Sequence, residues 1–564
     1  MNAETGECPT CKVAFGALGD GETSALRHLE NILEALDTLG EGGTVYAKAC
    51  AAVGIKPVVH PFWEHLPYTN IFTFITPDIL HQLYQGIIKH LIAWIKETYG
   101  EAEIDARCRR LPPNHNVRVF MKGISKLNRV TGKEHDQISR FLLGIIIDLP
   151  LPGDLSPVRL VRAVRAVLDF VYIAQYPLQS TETIAHLANA RERFHENKGI
   201  FVDLGVRDDF NLPKLHSWDH YPLNITYYGT LDNCNTENTE RLHIDLAKDA
   251  YRATNSKDEF PQMTLWLERK EKILRHEQYI QSRLKGCPGP PIVENLYPGV
   301  VYERKLVMAK HPTHKAVKFN TIKTEYGAKF FPEALSRYVA ELSDPTLTPA
   351  QIEATSTSVS LLFNSVSVFQ RIKFSTSDPH GKDGPEDTIV DAIHVQPHQY
   401  LANGNEVPAR FDTALVILGD RGRTEVHGKL SDAYLSLPGS FHVISRRVQS
   451  CASSPCLHPP PRVVKTTFPP GIEPPKYLAY VEWFSRFTKE PERNHLMFKL
   501  TRTETRGERM ASIIPVQNIR RSIHLTPKFG PVVPPHWKSS TVLEECKVFF
   551  ATPWTDRHIY PTLF

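Results

Sequence analysis

The chain has 564 residues and a mass of 64.0 kDa, so it is long enough for two or three domains, each with its own core. Its formal net charge of +4 does not indicate nucleic-acid binding by composition, because that inference needs basic residues gathered on one face. Nine irregularly spaced cysteines argue against a disulfide framework. The longest apolar run, Phe141 to Leu151, is too short to cross a bilayer, so we expect no membrane partner.

The first helix with clear signals is predicted to begin at Thr76. Thr76 is the predicted N-cap, Pro77 occupies the first helical position, and apolar residues recur at helical spacing as far as Trp94. Gly100 is the predicted end of this helix.

Further along the chain, the sequence pattern changes from helical periodicity to short strand-like runs. Helical periodicity is visible at 155–175, 181–197, 237–254, 261–284 and 331–342. Short strand-like runs follow at 366–374, 389–395, 413–418, 477–487, 496–501 and 519–525. We therefore predict an α+β multidomain protein with a mainly α-helical first half and a β-rich C-terminal module.

Breaks in composition suggest four segments. We predict a first segment at 1–75, a helical region at 76–285, a linker with one helix at 286–350, and the β-rich module at 351–564. A proline-rich loop is predicted at 457–475 within that module.

The pair Cys8 and Cys11 has the two-residue gap that lets two thiolates bind one tetrahedral zinc ion. Two more ligands are needed, and no second such pair follows. The pair alone favours unligated thiols or a broken site. The alternative is a structural zinc site that distant residues such as His28, Cys50 or His60 complete.

Arg159, Arg162 and Arg165 repeat every three residues on a predicted helix. They would form a short basic ridge that could lie along DNA phosphates. The alternative is an ordinary solvated helix face.

Two further helices carry carboxylates of interest. Asp78 and His81 are three residues apart, so they are neighbours on one helix face and can hydrogen-bond or share a ligand. Glu237 can pair with Arg241 on the second helix, whereas Glu240 points elsewhere. Without other information, these spacings favour ordinary ion pairs on the solvent-exposed surface.

Two blocks of sequence, 76–91 and 232–255, closely resemble corresponding blocks of fungal Plavaka transposases, which are related to Kyakuja, Dileera, Zisupton and CACTA-like transposases. Shorter matches at 122–127, 211–217 and 480–485 extend the likeness over nearly the whole chain.

The resemblance implies a cut-and-paste DNA transposase with a ribonuclease-H-like core and a helical insertion, of which 1–75 would be a partial core segment. In such enzymes two aspartates and one glutamate hold a pair of Mg²⁺ or Mn²⁺ ions. Asp78 and His81 resemble an Asp-x-x-His signature that lies between the second aspartate and the glutamate. Thr239-Glu240-Arg241 resembles the Ser-Glu-Arg of related enzymes, which favours Glu240 over Glu237 as the glutamate.

The resemblance also places both aspartates upstream of residue 78, in a region that precedes the Cys-x-x-Cys pair in full-length relatives. Met1 lies just before that pair here, so we expect a remnant that does not cleave or join DNA. The alternatives are a host-retained DNA- or chromatin-binding protein and an incomplete gene model of an active enzyme. We expect weak, non-specific DNA binding and location in the nucleus, with the cytosol as the alternative, and a homo-oligomer is compatible with the sequence.

Overall fold

A computed structural model of the chain describes residues 7–21, 24–176, 178–286, 304–377, 388–418, 440–452, 475–488, 490–505 and 507–555. The predicted proline-rich loop lies outside these residues, except for Pro475. In the described part, helices predominate as far as residue 286 and strands follow from residue 304. The predicted mixture of helix and strand is therefore confirmed, whereas the ribonuclease-H-like core stays a prediction.

The α-helices include every helical stretch that periodicity predicted. They are α1 (Leu29–Asp37), α2 (Gly43–Ala52), α3 (Ile71–Phe74), α4 (Lys89–Tyr99), α5 (Glu101–Cys108), α6 (Gly132–Ile146), α7 (Pro157–Ala174), α8 (Thr181–Asn197), α9 (Ile200–Asp203), α10 (Pro213–His216), α11 (Tyr221–Tyr228), α12 (Glu237–His243), α13 (Asp249–Arg252), α14 (Glu259–Leu284), α15 (Phe319–Thr324), α16 (Phe331–Ser343), α17 (Pro349–Ser356) and α18 (Val542–Glu545). Two π-helical segments, Ile79–Ile88 and Ile244–Lys248, run directly into α4 and α13.

The strands pair antiparallel wherever their register is defined. They are β1 (Arg304–Val307), β2 (His314–Lys318), β3 (Ser365–Phe369), β4 (Arg371–Ser377), β5 (Thr388–Gln396), β6 (Gln399–Tyr400), β7 (Glu406–Val407), β8 (Arg410–Phe411), β9 (Ala414–Leu418), β10 (Ser440–Ala452), β11 (Tyr477–Arg486), β12 (Lys499–Thr501), β13 (Glu504–Thr505), β14 (Glu508–Arg509), β15 (Ala511–Pro515), β16 (Ile519–Ser522), β17 (Leu525–Pro527) and β18 (Val548–Ala551). The largest sheet has the order β15-β11-β10-β3-β2, with β9 beside β10 and β16 beside β9.

The chain divides into two compact units, each built from three stretches of sequence. The first comprises Met1–Ile87, Ile173–Ala188 and Phe210–Val300, and the second comprises Ile88–Tyr172, Asn189–Asp209 and Val301–Phe564. The second unit therefore combines helices of the first half of the chain with the strands of the second half. The four predicted segments follow composition and stay a prediction.

Each unit has its own apolar core. In the first unit, α1 and α2 bury Ile32, Tyr46 and Cys50 together with Trp63 and Phe72, whose rings meet edge to face. In the second unit, α16 packs on the largest sheet, where Phe331 contacts Tyr480 of β11. Seven consecutive residues of β11 are buried, which is the pattern of a strand covered on both faces.

The helix that the sequence predicts from Thr76 begins later than expected. The regular turns begin at Ile79, and the side chain of Asp78 accepts hydrogen bonds from the backbone N–H groups of Leu80 and His81. A carboxylate satisfies these free donors and complements the helix dipole, so Asp78 takes the capping role that we predicted for Thr76. The predicted end is confirmed, because α4 stops at Tyr99 and Gly100 has φ +79°.

A tight turn after α5 depends on Gly123. Asp105 accepts hydrogen bonds from the backbone N–H groups of Ile124 (2.7 Å) and Ser125 (2.9 Å), which brings its carboxyl group against the turn. Gly123 has φ +79°, and a Cβ there would lie 2.1 Å from Cγ of Asp105. The turn therefore needs glycine for its backbone conformation and for space.

Replacing Gly123 should separate these two requirements when Gly153 is the control. Gly153 has φ +64°, and a Cβ there would have no atom within 4 Å. We expect Gly153→Ala to lower the free energy of unfolding by about 1 kcal/mol through backbone strain alone. Gly123→Ala should lower it by at least about 2 kcal/mol, because Asp105 must also move. Urea unfolding of both variants measures the difference, and equal midpoints would contradict this account of the turn.

Candidate metal centre and neighbouring carboxylates

The Cys8 to Cys11 loop is fixed by backbone contacts and by one buried arginine. Cys11 pairs in a short bridge with Leu26, and the backbone N–H of Arg27 donates to the carbonyl of Thr10 at 3.0 Å. The Arg27 guanidinium donates to the carbonyl of Cys8 at 2.9 Å and to the carboxylate of Glu7 at 2.8 Å. The loop thereby holds both thiols on one side, and the backbone N–H of Thr10 lies 3.3 Å from Sγ of Cys8.

Two histidines far along the chain complete a buried cluster with these thiols. His216 ends α10 and His220 ends the 3₁₀ turn Ser217–His220, so the two imidazoles are four residues apart. Nε2 of His220 lies 3.2 Å from Sγ of Cys8, and Nε2 of His216 lies 3.1 Å from Sγ of Cys11. The four ligand atoms lie within 4.8 Å of one another.

The donor set of this cluster fits zinc. Two sulfur and two imidazole nitrogen donors make up the Cys₂His₂ type of tetrahedral structural site. Asp219 supports the arrangement from outside, since its Oδ2 lies 3.1 Å from Nδ1 of His216 and leaves Nε2 directed at the sulfurs. A carboxylate on the outer nitrogen of a ligating histidine fixes the ring and makes it a stronger ligand.

The same contacts shift the acidities within the cluster. Burial alone would lower the pKa of His216, but hydrogen bonds to Asp219 and Cys8 raise this pKa to about 9. Hydrogen bonds from Cys11 and both histidines hold the pKa of Cys8 well below its usual range despite burial. The hydrogen bond to Cys8, together with burial, raises the pKa of Cys11. The lowered pKa of Cys8 favours its thiolate form, and thiolates are the form of cysteine that binds metal ions.

The expected partners of the cysteine pair were wrong. His28 and His60 are exposed, and Cys50 packs in the apolar core of the first unit. The structure places His216 and His220 beside the thiols instead, although they follow Cys8 and Cys11 by more than 200 residues. Their His-x₃-His spacing directly after Pro213 was a signal that the sequence reading missed.

Asp78 links the start of its helix to the segment before α12. Its Oδ1 accepts from the backbone N–H of Thr236 at 3.1 Å, and its Oδ2 accepts from the Thr236 hydroxyl at 2.9 Å. Nδ1 of His81 lies 2.5 Å from the same Oδ2. Burial would raise the pKa of Asp78, but the hydrogen bonds from Thr236 and His81 lower it. Asp78 is thus an ionised acceptor used within the protein.

The other nitrogen of His81 contacts the carboxylate of Glu240. Nε2 of His81 lies 2.7 Å from Oε1 of Glu240, and both side chains are about half exposed. The imidazole of His81 thus lies between two carboxylates, with one ring nitrogen beside Asp78 and the other beside Glu240. Glu237 is exposed in the first turn of α12, and the hydrogen bond that its backbone N–H donates goes to the Asn235 side chain. Of the two predicted glutamates, the structure brings Glu240 to His81.

The histidine ligands and the Asp78 contact share one short stretch of chain. Nζ of Lys214 donates to the carbonyl of His81 at 3.0 Å, and the hydroxyl of Tyr221 lies 3.5 Å from the carbonyl of Asp78. Residues 214–221 therefore contact the Cys8–Cys11 loop through the histidines and the Asp78–His81 turn through their neighbours.

The three predicted DNA-binding arginines do not form one exposed ridge. Arg159 pairs with Asp203 at 2.6 Å and Arg162 is exposed. Arg165 is buried, pairs with Asp169 at 2.6 Å and stacks on Trp554. The helical spacing was predicted correctly, but the third arginine faces the core of the second unit. A role of Arg159 and Arg162 in DNA binding stays a prediction.

We predict that the purified chain contains one zinc ion per molecule. Cys11→Ser and His216→Ala should each reduce the zinc content to near zero, because three ligands and a water bind this ion far more weakly than four ligands. Cys234→Ser is the matched control, since Cys234 is a free cysteine outside the cluster. Atomic emission spectroscopy measures the ratio, and full zinc content in His216→Ala would contradict the assigned ligand set.

Comparison with known proteins agrees with the sequence resemblance. The family model described as Plavaka transposase matches residues 2–95, a stretch that contains Cys8, Cys11, Asp78 and His81. No curated protein matches the chain. In the part of the chain that the structure describes, no helix has the length and apolar character needed to cross a membrane. The predicted resemblance is thereby confirmed for residues 2–95, where this chain is similar to Plavaka transposases.

Proposed function

We propose that this chain derives from a cut-and-paste DNA transposase, and that Glu240 corresponds to the last of its metal-binding carboxylates. The contact between His81 and Glu240, 2.7 Å long, carries the proposal. It joins the Asp-x-x-His pair of the family-matched segment to the helix on which the resemblance puts the glutamate. Thr236 and Glu240 follow His81 by 155 or more positions in sequence, and both contact His81 within the first unit.

The environment of Glu240 suits an acidic metal ligand. Its side chain is about half exposed and is held by His81 through Oε1, and a carboxylate of this exposure can bind a hard cation. Mg²⁺ or Mn²⁺, bound by Glu240 and two aspartates, would supply activation of the attacking oxygen and stabilisation of the leaving one. His81 orients the glutamate, and Asp78 in turn orients His81.

We propose further that the chain does not cleave DNA by itself. Asp78 is the other carboxylate in contact with His81, and both of its oxygens accept hydrogen bonds from Thr236, Leu80 and His81. We therefore assign Asp78 a structural role. The resemblance puts the two metal-binding aspartates upstream of residue 78, and without them Glu240 cannot hold two divalent ions in the arrangement that in-line displacement requires. The zinc centre would have a structural role, because it would hold the Cys8–Cys11 loop to the segment with His216 and His220.

A host-retained DNA- or chromatin-binding protein is the second candidate. A cavity of the second unit lined by Arg118, Arg140 and Arg410 favours it, because guanidinium groups bind phosphates. Under either candidate the chain acts on DNA, which would place it in the nucleus.

Cleavage assays test the proposal directly. With Mg²⁺ or Mn²⁺, the purified chain should neither nick nor join duplex DNA that carries the ends of the element. A chimaera that adds the upstream region of a complete relative should cleave this DNA, because the resemblance puts two metal-binding aspartates in that region. Glu240→Gln in the chimaera should reduce cleavage to background, whereas the matched Glu237→Gln should retain it.

Two outcomes would count against the proposal. Metal-dependent cleavage by the unmodified chain, after removal of contaminating nucleases, would mean that its own residues suffice for catalysis. A cleaving chimaera that tolerates Glu240→Gln but not Glu237→Gln would move the metal-binding role to Glu237.

A further inference from the structure

The second unit contains a solvent-accessible cavity of about 470 Å³ between the loop after α5, helix α6 and strand β8. Its walls include three arginines, one histidine and three side-chain amides, and no aspartate or glutamate. These residues are Arg118, Arg140, Arg410, His115, Asn114, Asn116 and Gln137. A wall with this composition offers hydrogen-bond donors and positive charge to whatever enters.

Carboxylates hold the three arginines without lining the cavity themselves. Arg410 pairs with Asp412 at 3.0 Å, and Arg140 pairs with Asp136 at 2.7 Å. Arg118 pairs with Glu134 at 3.0 Å. Each pairing of Arg118 and Arg410 fixes one part of a planar group that has five N–H donors, so these two side chains can also donate to a ligand.

Arg118 and Arg140 are fixed further by their surroundings. The Arg118 guanidinium stacks on the ring of Phe120 at 4.7 Å. The Arg140 guanidinium donates to the carbonyls of Asn116 and Thr555, both at 2.7 Å. The positions of these charges are therefore set before any ligand binds, which reduces the entropy that binding costs.

Asn114 gives an independent indication of a ligand. Its side chain is 5% exposed, and its Oδ1 accepts from the backbone N–H of Asn116 at 2.8 Å, which identifies the other atom as Nδ2. That Nδ2 has no hydrogen-bond partner among the described residues. A buried donor left without a partner costs about 1–3 kcal/mol, and a ligand or a water molecule that accepts from Nδ2 would remove this cost.

We propose that this cavity binds a phosphate group of the DNA backbone. A phosphate offers acceptor oxygens in several directions and a charge that the arginines complement, and Arg–phosphate contacts are often bidentate. The inference rests on the proposed action on DNA and names the surface that makes one of the contacts. Contacts of this kind fix the position of DNA without reading its sequence.

The test measures binding of a fluorescent DNA duplex by the full chain over a range of salt concentrations. The double variant Arg118→Gln/Arg410→Gln should bind about tenfold more weakly at low salt, and its log–log salt slope should be smaller by about 1, as one lost phosphate contact requires. Arg252→Gln is the matched control, because Arg252 is exposed and paired with Asp249 but does not line the cavity.

Arg118→Gln alone keeps the test usable if the double variant fails to fold, since this side chain is 54% exposed. We expect a smaller loss of DNA affinity in the same direction. Calorimetric titration with inorganic phosphate separates the two sources of the ligand. Phosphate binding that the variants lose, with DNA affinity unchanged, would overturn the DNA assignment in favour of a small phosphorylated ligand.

The remaining outcomes distinguish a failure of the DNA-phosphate proposal from a failure of the proposed function. If the unmodified chain binds DNA and the variants bind it with the same affinity and salt slope, the cavity is not a DNA contact and the transposase-derived function stands. If the unmodified chain does not bind DNA at any salt concentration, the DNA-phosphate proposal fails, whereas the cleavage assays still decide the role of Glu240.

Discussion

The first unit depends on contacts between residues that are more than 200 positions apart in sequence. Cys8 meets His220 and Cys11 meets His216, so the cluster closes a very long loop. Closing a flexible loop of that length costs roughly 5 kcal/mol of chain entropy. Structural zinc sites contribute about 10–16 kcal/mol in small peptides, so a zinc ion in this cluster would exceed the closure cost.

The same closure supports the acidic site. Lys214 and Tyr221 flank the two histidines and contact the carbonyls of His81 and Asp78. The segment that ends at Glu240 is thereby brought to the turn that carries Asp78 and His81. The glutamate is held by two polar contacts in succession, Asp78 with His81 and His81 with Glu240. These two contacts restrict the Glu240 side chain to fewer conformations than a glutamate without a partner could adopt on an exposed helix.

Local patterns in the sequence predicted local features well. Periodicity located α7, α8, α14 and α16 to within a few residues. In α7, α8 and α16 the repeat corresponds to a buried helix face, whereas α14 has no buried residue. Helix α6 was not predicted, although Thr131 and Glu134 form a capping box at its start. The helix predicted from Thr76 was displaced because Asp78 offers a stronger acceptor to the first free N–H groups.

Features set by distant contacts could not be predicted in this way. The cysteine pair was found from its spacing, but nothing local connects it to His216 and His220. Arg165 has the spacing of a surface residue, and only the arrangement of Asp169 and Trp554 shows that its charge is compensated inside the fold. The cavity with Arg118 and Arg410 joins residues nearly 300 positions apart. The resemblance to Plavaka transposases was found because it rests on contiguous residues.

The double use of Asp78 restricts how this protein can change during evolution. One carboxylate caps the helix that starts at Ile79 and also accepts two hydrogen bonds from Thr236, which is 158 residues away. Replacing Asp78 by serine would keep a capping oxygen for the helix, but it would leave fewer acceptors for the N–H and hydroxyl groups of Thr236. A change at Thr236 would in turn leave Asp78 a buried charge with fewer donors. The two positions are therefore expected to vary together, and lineages that lost the selection for transposition would retain the pair for as long as they retained the fold.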